Sequence, residues 1–178
     1  MKISEIKNKF YFNTIIIILI FLLDRVTKLI VINLSKNNIS SELFSSKYLN
    51  IQLIWNEGIA FGLFSFQKEI LYNFLTVLIL LIIFIIFFVL IKSHGLKKYC
   101  YLMIFGGAIG NVYDRLFYKA VPDFIDLHVE NFHWFIFNIA DIFITVGIIF
   151  LIFFMFLNYL YHLFILIKYG FQIEVFWR

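Results

Sequence analysis

The sequence predicts an all-α integral membrane protein, with four transmembrane helices and a small extracytoplasmic β element in the first outer loop. Three observations carry this reading. Of 178 residues, 63% are hydrophobic and only 15% charged, whereas a soluble domain is about half apolar and a quarter charged. Four apolar runs are each long enough for a bilayer, and the basic residues are shared unequally between the segments that join them.

A span needs about 20 mostly apolar residues. The expected spans cover 10–34, 71–91, 99–117 and 135–163, with a tail over 164–178, all in one membrane domain. The first follows Lys2, Lys7 and Lys9, as a signal peptide would, but no small-residue cleavage site comes after it, so it is read as a retained span. The third is uncharged only over 99–113, which puts Asp114 and Arg115 at membrane depth or just beyond. Residues 48–55 (YLNIQLIW) partly alternate and read as a strand at the outer surface. The tail is compatible with an interfacial helix.

With the N-terminus inside, the inner segments hold Lys2, Lys7, Lys9, Lys92, Lys97, Lys98, Lys168 and Arg178. The outer loops hold Lys36, Lys47, Lys68 and Lys119, with Arg115 at the boundary. This asymmetry follows the positive-inside rule and predicts that both termini are cytoplasmic. The longer loops, 35–69 and 119–134, then face outward, where function concentrates.

Other classes fall away. The single Cys100 excludes an internal disulfide and, in an apolar run, reads as a buried, inert thiol. His94, His128, His133 and His162 show no paired metal-ligand spacing. The net charge of +4 forms no basic face with interleaved aromatics, so nucleic acid is not an expected partner.

Ionisable groups inside spans are costly and mark candidate sites. Asp24 and Lys28 are four apart and share a helical face, either as a structural ion pair or as groups near substrate. In GGAIGNVYDR (106–115), Gly106 and Gly110 permit close helix packing, while Gly107, Asn111 and Arg115 succeed one another at four-residue steps. An amide and a guanidinium facing lipid would be expensive, so Asn111 and Arg115 are read as part of a polar site. Asn138 and Asp141 share a face in FNIAD (137–141), though an N-cap and a dipole-favoured acid explain them as well. Asp123, in VPDFIDLH (121–128), falls where the outer ends of spans three and four meet. Two carboxylates sharing a site cannot both ionise easily, so one keeps a proton and the other can activate water. Scattered interfacial acids are the competing explanation.

Five segments resemble the lipoprotein signal peptidase (signal peptidase II) family: DRVTK at 24–28, WNEGIAFG at 55–62, GGAIGNVYDR at 106–115, VPDFID at 121–126 and FNIAD at 137–141. Their order on a four-span profile makes the resemblance specific. It implies a membrane-embedded aspartic endopeptidase that removes the signal peptide from diacylglyceryl-modified bacterial prolipoproteins, cutting before the lipidated lipobox Cys. It implies Asp123 and Asp141 as catalytic pair, with Asp24, Lys28, Asn56, Gly107, Asn111, Arg115 and Asn138 around the substrate. No metal or cofactor is expected. The expected partners are lipid-modified prolipoproteins and membrane lipids, and the expected state is a monomer in the bacterial cytoplasmic (inner) membrane, with its site near the outer face. Pro122 departs from the family pattern, where Val is common. Two rival readings remain: a transporter or proton channel using Asp24, Asp114 and Asp141 as a relay, and a non-catalytic assembly subunit.

Overall fold

The structure, a computed structural model, describes residues 3–37, 42–58 and 69–176. The helices are α1 (Ile3–Asn37), α2 (Glu69–Lys92), α3 (Leu96–Tyr118) and α4 (Ile139–Phe176). The strands are β1 (Glu42–Ser45) and β2 (Leu49–Asn56) after α1, and β3 (Val121–Val129) and β4 (Phe132–Phe137) after α3. Two helices, over Tyr72–Lys92 and Ile139–Lys168, are long and apolar enough to cross a membrane. Both stay largely exposed along their length, with Phe74, Val77, Leu81, Phe84, Ile85 and Phe88 of α2 facing outward, unlike a soluble core helix. No water-soluble fold hides this surface.

The chain is mostly helical with a small sheet, as expected, but the sheet is larger than the one expected after α1. The four strands form one antiparallel sheet in the order β1-β2-β3-β4, so the connection between α3 and α4 contributes half of it. The expected fourth span began at 135, but that region is β4, and α4 opens only at Ile139. After His133 the segment WFIF is an apolar run leading into the helix, which periodicity cannot tell from a helix start. Its aromatic and β-branched residues favour a strand, and Asn138 after it caps the helix. At the other end α4 continues unbroken to Phe176, so the tail is no separate element. Part of the connection between α1 and α2, including residues 59–62 of WNEGIAFG, lies outside the described residues.

Helix α3 is the hub, packing on α1, α2 and most extensively α4. Small residues make this possible: a Cβ on Gly107 would stand 2.5 Å from the Ala140 carbonyl oxygen, and one on Gly147 would stand 2.9 Å from the Cys100 carbonyl oxygen. The α2–α3 turn needs Gly95, whose φ is +62°. Cys100 is a buried free thiol, as expected. Pro122 is buried and pairs with Trp55 of β2. Because β4 joins β3 only from Ile125 onward, the strand has an open side at Pro122, where a missing N–H is tolerated.

Candidate active site

Strand β3 and the first turn of α4 bring Asp123 and Asp141 into one cleft of about 270 Å³. Asn56, Asn111 and Arg115 line it with them, and Val121, Ile136 and Ile144 form part of its apolar wall. Asn138 ties the two carboxylates together. Its Nδ2 donates to Asp123 Oδ1 at 2.6 Å, and its Oδ1 accepts the Asp141 N–H at 3.1 Å. Asp141 Oδ2 in turn accepts the Asn138 N–H at 3.1 Å. This reciprocal pattern is a capping box. The capping explanation of Asn138 and the functional one therefore coexist: the same residue starts α4 and holds Asp123.

Each carboxylate has one further amide donor. Asn56 Nδ2 donates to Asp123 Oδ2 at 2.9 Å, and Asn111 Nδ2 donates to Asp141 Oδ1 at 2.7 Å. Asparagine suits this place because it donates a hydrogen bond without adding a charge that would fix the protonation of the pair. Burial first, and then the neighbouring charge of Asp141, push the Asp123 carboxyl up from 3.8 to about 6. The pair can thus retain a proton close to neutral pH.

The donors are themselves braced. Gly58 N–H donates to Asn56 Oδ1 at 2.9 Å, and Arg115 Nη2 donates to the Gly58 carbonyl at 3.0 Å. Arg115 therefore orients Asn56, and through it Asp123, while its own carbonyl accepts from Tyr72 Oη at 3.2 Å. Behind Asn111, Lys28 Nζ donates to Asn111 Oδ1 (2.8 Å), Asp24 Oδ2 (2.8 Å) and Asp114 Oδ2 (2.7 Å). Arg25 adds an ion pair to Asp114 and lies over the Tyr113 ring, 4.8 Å from its centroid. Two acids and two bases thus neutralise one another in the core, the arrangement that buried charge requires. Asp24 Oδ1 also accepts the Ala140 N–H at 3.0 Å, one residue before Asp141.

Of the residues the sequence singled out, Asn56, Asn111, Arg115, Asp123 and Asp141 line the cleft, and Asn138 bridges the pair. Asp24 and Lys28 are 0% exposed and lie behind it, so they have no surface to offer a substrate. Gly107 meets the α4 backbone instead of the cleft. The sequence reading missed Asp114 as the partner of Lys28 and Arg25, named the segment WNEGIAFG without the part its Gly58 plays, and missed Tyr72. An acid at 114 beside a cation at 115 was the one signal available. Among the described residues, no His or Cys lines the cleft.

A family model described as signal peptidase (SPase) II matches residues 16–157. The chain is 51% identical over 148 residues to a lipoprotein signal peptidase of Pelagibacter ubique (strain HTCC1062), covering 83% of this chain and 89% of that one. It is 40% identical over 136 residues to the lipoprotein signal peptidase of Anaplasma phagocytophilum (strain HZ), covering 76% and 85%. A solved structure of a bacterial membrane enzyme, obtained by the in meso method, superposes with a TM-score of 0.65 at 28% identity, covering 82% of this chain and 87% of that one.

Proposed function

The chain belongs to the signal peptidase II family, and on that premise we propose that Asp123 and Asp141 are the pair with which it works. As a member it is an integral membrane peptidase that cleaves the signal peptides of prolipoproteins. The observation that carries the assignment of the pair is Asn138, hydrogen-bonded to both acids in one cleft.

In the proposed reaction the pair holds one proton. The ionised carboxylate takes a proton from water as the water attacks the scissile carbonyl, and the protonated carboxyl donates to the carbonyl oxygen. Collapse of the tetrahedral diol breaks the C–N bond. The departing amine takes a proton from the pair, and the diol returns one. No nucleophilic Ser or Cys is needed. Asn56, Asn111 and Asn138 hold the carboxylates at the reacting carbonyl. Asp24, Lys28, Gly107 and Arg115 act through these groups as positioning residues.

The finer substrate reading rests on the family: a diacylglyceryl-modified prolipoprotein, cut before its lipidated Cys, reaching the cleft sideways from the bilayer. The four-span reading has support of two kinds. Helices α2 and α4 have the length and apolarity to span. In α1 and α3 the charged residues Asp24, Lys28, Asp114 and Arg115 turn inward, leaving Ile15, Leu19, Leu22 and Val26 of α1 on the outside. The lysine distribution supports cytoplasmic termini in the inner membrane, with the sheet and cleft outside. The test is purified protein mixed with diacylglyceryl-modified prolipoprotein and read by gel shift. Asp123→Asn and Asp141→Asn each abolish cleavage while the protein still inserts. Substantial turnover by either variant sinks the pair.

A further inference from the structure

The β3–β4 hairpin carries a second cluster of chemistry, outside the cleft. Asp126, His128 and His133 each offer one metal-ligating atom, and these atoms all lie within 4.8 Å of one another. His128 and His133 are directly opposite each other across the strand pair, with ring centroids 5.0 Å apart and planes 22° from parallel. His133 Nδ1 lies 2.9 Å and 3.1 Å from the two oxygens of Asp126, a carboxylate that is itself 1% exposed. His128 Nδ1 is buried with no hydrogen-bond partner. An unpartnered imidazole nitrogen beside a carboxylate and a second imidazole is a donor set looking for an acceptor. A cation supplies one.

We propose that Asp126, His128 and His133 form a site for a zinc-class divalent ion that staples β3 to β4. Two imidazoles and one carboxylate suit Zn²⁺ and its transition-metal neighbours, whereas Mg²⁺ and Ca²⁺ prefer all-oxygen sets. Ligands about 2.1 Å from a tetrahedral ion stand roughly 3.4 Å apart. The cluster therefore has to contract by about 1.4 Å at its widest, within reach of side-chain rotation at the half-exposed His133. A water completes the fourth position.

The site is separate from the peptidase chemistry. Strand β3 is regular along its length, so successive residues alternate between faces, and Asp126 and His128 point away from the face of Asp123. The irregularity lies on β4, where three residue steps from His133 to Ile136 oppose two on β3 from His128 to Asp126. That extra residue aligns His133 with His128, which is why linear spacing shows no ligand pair. The ion holds together the strand that carries Asp123 and the strand that leads into Asn138 and Asp141, without touching a reacting atom.

Full-length protein in detergent, stripped with EDTA and then desalted, is titrated with ZnCl₂ by calorimetry. The expected result is one ion per chain, no response to MgCl₂, and a raised thermal midpoint. His128→Ala and His133→Ala each weaken binding roughly tenfold or more, in the range seen when metal-site partners are removed, and His162→Ala leaves it unchanged. A second measurement uses the unaltered protein: Zn²⁺ shields His128 and His133, and not His94 or His162, from diethyl pyrocarbonate as read by mass spectrometry. Absence of Zn²⁺ binding by the parent overturns the proposal. So does binding that leaves His128 and His133 unshielded, or that survives in the His128→Ala/His133→Ala double variant.

Discussion

Gly107→Ala is the sharpest test of how the cleft is held. The new Cβ would lie 2.5 Å from the Ala140 carbonyl oxygen and 3.0 Å from Ile144 Cγ1. Carbon and carbonyl oxygen rest at about 3.3 Å or more, so α3 and α4 must part by about 0.8 Å. The obstacle is backbone, which no rotamer relieves. Asp141 follows Ala140 directly, and its 2.7 Å hydrogen bond from Asn111 crosses the same interface. That bond stretches to about 3.5 Å, beyond the useful N–H···O range. A misplacement of about 1 Å costs on the order of 10²-fold in rate, or about 2.7 kcal/mol of transition-state stabilisation. Gly106→Ala is the control, since its Cβ meets only the Ile20 side chain, at 3.1 Å, on the α1 side. Initial rates with lipidated prolipoprotein in detergent, normalised to the folded fraction from size-exclusion chromatography, compare the two variants. We expect a loss near 100-fold for Gly107→Ala and less than roughly tenfold for Gly106→Ala. Activity of Gly107→Ala within about threefold of the parent, or equal losses in both variants, refutes the close-approach argument.

Other outcomes follow from the same geometry. Arg115→Ala and Asn111→Ala reduce the cleavage rate by at least roughly tenfold, whereas Lys119→Ala, at an exposed helix end, changes it little; equal mild losses at all three would remove Arg115 and Asn111 from the site. The rate against pH is bell-shaped, because losing the shared proton removes the acid and gaining a second removes the base. With Asp123 raised to about 6, the alkaline limb moves up from the ordinary carboxylate range towards neutral pH. Excess EDTA leaves the bell shape in place; abolition by EDTA with rescue by a divalent ion in the His128→Ala/His133→Ala double variant, which lacks the hairpin site, would refute the aspartic mechanism. A carboxyl raised from 3.8 to about 6 costs the folded state nothing below pH 4 and about 3 kcal/mol above pH 6. The thermal midpoint of Asp123→Asn relative to the parent therefore rises between pH 4 and pH 8, and a difference independent of pH would count against the shift. In a Cys100-free background, single cysteines at Lys47 and Lys119 react with an impermeant reagent from outside; labelling only from the cytoplasmic side would invert the topology.

Much of the site was legible because its residues keep helical spacing. Asp24 with Lys28, Asn111 with Arg115, and Asn138 with Asp141 each sit three or four apart, and the structure puts each pair on one face. What spacing could not give was partnership across elements. Asp114 looked like a boundary charge because its partners, Arg25 and Lys28, lie on another helix. Strand β4 was hidden in an apolar run that reads equally well as helix. His128 and His133 became neighbours through a strand irregularity that leaves no trace in their separation along the chain. Gly58 acts through its backbone groups alone, and a backbone group has no letter in the sequence.

The charge quartet beneath the cleft bears on how the protein is made. Helix α1 emerges from the ribosome carrying Asp24, Arg25 and Lys28, while Asp114, which ion-pairs with Arg25 and Lys28, lies 86 residues beyond Lys28. Until α3 has been synthesised, α1 holds a surplus cation, which is costly in hydrocarbon. On the proposed four-span topology, the first helix gains its full neutralisation only when the third has been made, so the two are a pair in assembly as well as in the folded core.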